Sequence, residues 1–119
     1  VPGAHQPPSP GELTADACIT AEVDMAAIGV LTFTLQLDHA RSLKDKRQVV
    51  RSLKDRLRSR YNVAVAEIDD QHLWQRGLIA AVTVGANRAI AEHTLQAVEK
   101  EAFATLGPML VDVTWEWIE

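Results

Sequence analysis

Between positions 28 and 118 the hydrophobic residues follow two rhythms, one of two residues and one close to a helical turn, with short polar breaks between them. Ile28–Leu37 alternates: Leu31, Phe33, Leu35 and Leu37 share one side, Thr32, Thr34 and Gln36 the other, which predicts a half-buried strand. From Leu43 to Arg60 the rhythm becomes helical, with Leu43, Val50, Leu53 and Leu57 in one stripe and Val49 at its margin. Ser42 precedes this helix and Asp45 follows three residues later, a capping box in which the hydroxyl accepts a first-turn N–H and the carboxylate complements the helix dipole. Asn62–Asp69 predicts a second strand. Val63 and Val65 share a parity that Ile68 breaks, so either a bulge near Ala66 resets the register or one apolar residue faces out.

Arg76–Gly85 predicts a third strand, with Leu78, Ala80, Val82 and Val84 facing the core and Ile79, Ala81 and Thr83 facing out. On that parity an aspartate at position 82 is expected to abolish folding, because it would be buried unpaired. Asn87 is the expected N-cap of a second helix over about 88–105, with Ala91, Leu95, Val98 and Ala102 inward and Gly107-Pro108 as its stop. Leu110–Ile118 closes the pattern as a fourth strand, Val111, Val113, Trp115 and Trp117 on one face and Asp112, Thr114 and Glu116 on the other.

The order β-α-β-β-α-β, with a sheet that needs helices on only one face, predicts an α+β ferredoxin-like sandwich: a four-stranded antiparallel sheet and two helices. The first and third strands are uncharged within their apolar stretches and belong at the centre. The second and fourth carry Glu67, Asp69, Asp112 and Glu116 and belong at the edges, where charge discourages sheet-to-sheet pairing. Residues 1–24 hold prolines at 2, 7, 8 and 10 and show no periodicity, so a disordered tail or upstream extension is expected ahead of a single domain over 25–119.

Composition narrows the function classes. A chain of 119 residues has room for one core. Its single cysteine, Cys18, excludes an intrachain disulfide and fits a reducing cytoplasm. The run Met25–Leu31 is far shorter than the roughly 20 apolar residues that span a bilayer, so no membrane partner is expected. Charge is unevenly placed: the net charge is −4, yet residues 41–60 carry nine of the twelve basic residues against Asp45 and Asp55. That local excess of +7 predicts one face that meets an anion.

Within that segment Arg47, Arg51, Lys54 and Arg58 recur at helical spacing, a stripe roughly 17 Å long at 1.5 Å per residue. A solvated helix face would mix signs for pairing; this one is nearly all positive, which points to phosphate backbone as the anion. Arg41, Lys44 and Arg76 are the flanking candidates for the same contact with RNA or a ribosomal subunit. The expected outward positions of the sheet, Thr32, Thr34, Ile79, Ala81 and Thr83, include no aromatic residue, so base stacking on the sheet is not expected. The same small, uncharged face is open to an alternative use as a homodimer interface, and the alternative to RNA binding is a non-enzymatic dimeric interaction or regulatory module that docks on an acidic protein surface or binds a small anion. Trp74 and Gln75, beside Arg76, form a candidate contact patch, set against a reading in which Trp74 closes one end of the core. His5, His39, His72 and His93 are scattered without zinc spacing, and no nucleophile–base pair stands out, so neither an enzyme nor a metal or other cofactor is expected.

Three blocks together, Ala40-Arg41-Ser42-Leu43-Lys44-Asp45-Lys46-Arg47, Tyr61-Asn62-Val63-Ala64-Val65-Ala66-Glu67 and Leu73-Trp74-Gln75-Arg76, resemble the YlxP-like family, a bacterial domain of unknown function. The likeness covers about residues 26–119. It implies a ferredoxin-like domain and, from the translation genes among which the family's genes commonly sit, a ribosome- or RNA-associated role. It carries over no catalytic residue. The chain departs from the family pattern in its N-terminal extension and in Asp69-Asp70-Gln71-His72, where a glycine-containing turn is expected.

Overall fold

The structure, a computed structural model, describes residues 26–69 and 75–118. The expectations for residues 1–24, for Trp74 and for the 70–72 turn fall outside the described residues.

Six main elements follow in the predicted order: β1 (Ala27–Gln36), α1 (Leu43–Arg60), β2 (Ala64–Asp69), β3 (Arg76–Gly85), α2 (Arg88–Leu106) and β4 (Leu110–Ile118). A short 3₁₀ turn over Gly107–Met109 joins α2 to β4. Each helix starts where its cap predicts. Ser42 Oγ accepts from the Asp45 N–H at 3.2 Å and Asn87 Oδ1 from the Ile90 N–H at 2.9 Å, each satisfying a first-turn donor. The Asp45 carboxylate reaches back to the Arg41 N–H at 2.9 Å, one residue earlier than a regular capping box. Gly107 ends α2 at φ 56°, a conformation that favours glycine.

The sheet is antiparallel in the order β2-β3-β1-β4, so the two strands without charge in their apolar stretches are central and the acidic ones lie at the edges. α1 packs over β2 and β3, and α2 over β1, β3 and β4. This is the ferredoxin-like sandwich. Leu31, Phe33 and Leu35 of β1 meet Val50, Leu53 and Leu57 of α1 and Leu95, Val98 and Ala102 of α2 in one core.

The parity of β3 is the reverse of the sequence expectation. Gly77, Ile79, Ala81 and Thr83 face the helices and are buried, while Leu78, Ala80, Val82 and Val84 face away. Ile79 fills the core, whereas Gly77, Ala81 and Gly85 on the same side are small, and at Gly85 the helix layer sits close: a Cβ there would stand 2.9 Å from the Ala91 backbone nitrogen. Thr83 tolerates burial because its hydroxyl donates to the Asn62 carbonyl at 2.6 Å. Val82 is therefore 36% exposed, and the burial on which the expected failure of an aspartate there rested is absent.

Two bulges settle the other ambiguities. In β2 the register shifts between Glu67 and Asp69, leaving Ile68 half-exposed and Glu67 on the helix side. In β4, Thr34 pairs with Asp112 and Leu35 with Leu110, so Val111 is the extra residue and points outward at 54% exposure. It leaves the inward set, which is instead Leu110, Val113, Trp115 and Trp117.

Candidate nucleic-acid interface

The apolar stripe of α1 contains a cation. Lys46 takes the turn before Val50, Leu53 and Leu57 and is 1% exposed. Its ammonium lies 2.8 Å from Glu67 Oε2, on the edge strand below. The absent side chain of Gly77 leaves room beside it, a Cβ there standing 3.5 Å from Lys46 Cε. An ammonium is buried at a tolerable cost where an acid partners it, and the β2 bulge keeps Glu67 on the side where that acid is needed.

On the other flank of α1, Arg56 and Arg60 turn towards α2 and share Glu101, at 3.4 and 3.2 Å. Tyr61 and Thr105 donate to the same carboxylate. Partial burial pushes the Glu101 carboxyl up, but donation from Tyr61, the Arg60 charge and bonds from Arg56 and Thr105 outweigh it and hold the group below the usual carboxylate range. Burial, reinforced by the Glu101 carboxylate, raises the Tyr61 hydroxyl in turn.

What remains is a single cationic flank. Arg47, Arg51, Lys54 and Arg58 line one groove of about 330 Å³ between α1 and the β2 edge, together with Val50, Asp55 and Glu67. Among the described residues Arg47, Arg51 and Lys54 form no ion pair, and Arg58 donates only to the Val65 carbonyl, at 3.4 Å. Because Lys46 neutralises Glu67 at the groove floor, the four cations face Asp55 as the remaining acid. The groove can hold a chain of anionic groups along its length.

The other candidates lie apart. Arg41 and Lys44 are exposed at the N-terminal end of α1, outside the groove lining. Arg76 shares the parity of Leu78 and so stands on the open side of the sheet. Gln75 holds the chain in place: its carbonyl accepts from the Leu37 N–H at 2.8 Å and its amide donates to the Ala40 carbonyl at 3.4 Å. Lys46, Glu67 and Glu101 were absent from the sequence-based site, although they decide which cations stay available. At the opposite sheet edge Trp115 donates to Glu99 at 3.3 Å and Arg88 lies over the Trp117 ring at 4.5 Å, so both indoles are engaged within the fold. Among the described residues no three His, Cys, Asp or Glu side chains gather as metal ligands, and no helix is long and apolar enough to cross a membrane.

A ferredoxin-like sandwich with a basic groove beside its first helix is the class that these features define. Residues 28–114 match the family described as "Protein of unknown function (DUF503)", and the chain belongs to that family. It is 37% identical over 59 residues to a Bacillus subtilis (strain 168) protein described as "Uncharacterized protein YlxP", a match covering 50% of this chain and 64% of that protein. The chain thus matches slightly less than two thirds of that relative's length. Among solved structures, a dimeric ferredoxin-like protein of unknown function from Thermobifida fusca YX superposes with a TM-score of 0.52 at 16% identity, covering 81% of this chain and 92% of that one. That likeness shows the fold.

Proposed function

We propose that this chain is a small cytoplasmic RNA-binding accessory protein, non-catalytic and ribosome-associated, that grips phosphate backbone in the groove between α1 and β2. The observation that carries this reading is the sorting of charge on one helix. Lys46 is neutralised by Glu67 and Arg56 and Arg60 share Glu101, while Arg47, Arg51, Lys54 and Arg58 converge on one groove. Among the described residues no aromatic side chain lines that groove, so it reads charge and shape and not base identity.

The test replaces Arg47, Arg51, Lys54 and Arg58 together by Gln. Gln has helix propensity close to that of Arg and Lys, so α1 should survive with an unchanged circular dichroism spectrum. If about four phosphates are engaged, log affinity of the wild type should fall with log salt at a slope of roughly −3 to −4. The quadruple variant should lose RNA and ribosomal-subunit binding at low salt. Wild type that binds neither at low salt, or a quadruple variant that binds equally well, removes the groove from the function.

A second reading, compatible with the first, is favoured by the dimeric state of the Thermobifida fusca protein. In it this chain self-associates and acts as a dimeric interaction module.

A further inference from the structure

The reversed parity of β3 changes the character of the open sheet face. An antiparallel sheet covered on one side normally turns polar residues to water on the other. Here Gly29, Gly77, Ala81 and Gly85 lie inward beside Ile79 and Thr83, while Leu78, Val82 and Val84 of β3 lie outward. Ile28, Val82, Val84 and Ile118 are 37%, 36%, 54% and 51% exposed on this side, and Val30 and Leu78 are half-buried beside them. Among the described residues, the uncharged Thr32 and Thr34 on β1, Ala80 on β3, Ala64 and Ala66 on β2 and Thr114 on β4 share this side. Among the described side chains, charge on this side lies at the rim: Arg76 at one end of β3, Asp112 and Glu116 on the β4 edge.

We infer that this face is covered by a second copy of the chain, the two sheets packing face to face. The inference rests on the self-association reading above and assigns the surface for it. Size supports it. Four strands at about 4.8 Å and roughly eight residues at about 3.3 Å give a face on the order of 500 Å² in projection. Side-chain relief brings its accessible area towards the ~800 Å² that each partner gives up in a standard interface. An apolar centre with a charged rim is the anatomy of such an interface. Chemistry selects the occupant: a twofold axis sets the uncharged, β-branched centre of one sheet on the identical centre of the other, with no buried charge left unpaired. Among the described residues, this side of the sheet carries no aromatic side chain that would serve as a platform for a base.

The test uses the full chain. Sedimentation velocity at tens of micromolar should give twice the monomer mass for wild type, and the monomer mass for Val82→Lys. A lysine at position 82 sits on the exposed side of a central strand, so the far-ultraviolet spectrum should be unchanged. Ile118→Lys, at a corner of the same face, should shift mass the same way and covers the case in which a central-strand variant fails to fold. Arg51→Gln, on the helix side, should stay dimeric. If both lysine variants remain dimeric, self-association stands but uses another surface, and the assignment is overturned. A monomeric wild type overturns both, and leaves the face to residues 1–25 or to a different protein.

Discussion

Lys46 shows how one side chain can belong to two patterns at once. By spacing it is the next apolar position of the α1 stripe; by type it is one of nine cations in twenty residues. Burial gives the stripe priority, and Glu67 makes that burial tolerable at 2.8 Å. Removing one partner leaves an uncompensated charge, whereas removing both can be nearly neutral. Lys46→Met should therefore destabilise the domain by about 3 kcal/mol, and Lys46→Met/Glu67→Leu should recover most of it. Thermal melts of the two single variants and the double variant measure the coupling. Melting temperatures that fall additively would show that the pair does not act as a unit. The single variant should also weaken anion binding, since it leaves the Glu67 charge exposed to the groove floor.

At the scale of elements, the parity of β3 sets which substitutions the sheet tolerates. Ala81→Asp should prevent folding, because Ala81 is 0% exposed beneath the helices and an unpaired carboxylate there costs several kcal/mol. Val82→Asp, one residue on, should stay soluble and melt cooperatively. Expressing both and recording thermal melts decides the register, and the opposite pattern would restore the parity that hydrophobicity suggests. Strand and helix limits were legible because periodicity and caps agree at Ser42, Asn87 and Gly107. The facing of β3 was not, since both of its sides are apolar enough to be core. Bulk favoured Leu78, Val82 and Val84, whereas the space under the helices favours Gly77, Ala81 and Gly85. Those small residues at a spacing of four were the available signal. The groove was half legible. Helical spacing placed Arg47, Arg51, Lys54 and Arg58 together, but Glu67 and Glu101, which engage Lys46, Arg56 and Arg60, come from distant stretches of chain.

At the scale of the whole molecule the two proposed surfaces face different ways. The groove lies between α1 and the β2 edge, on the helix layer; the apolar face lies on the other side of the sheet. Covering one leaves the other accessible, so assembly and RNA binding should separate by mutation. An RNA just long enough to fill one groove should bind wild type and Val82→Lys with equal affinity and equal salt slope, because each groove is complete within one chain. A longer RNA can reach both grooves of a dimer, and the second contact then forms at high effective concentration. Its affinity for wild type should exceed that for Val82→Lys by about 10²-fold at low salt, with a salt slope approaching twice that of the short RNA. Fluorescence anisotropy with the two RNA lengths across a salt series measures all four constants. A Val82→Lys variant that loses the short RNA as well would mean that the groove is completed by the partner copy. Equal affinities for the long RNA would mean that the two grooves of a dimer diverge too far for one strand to bridge.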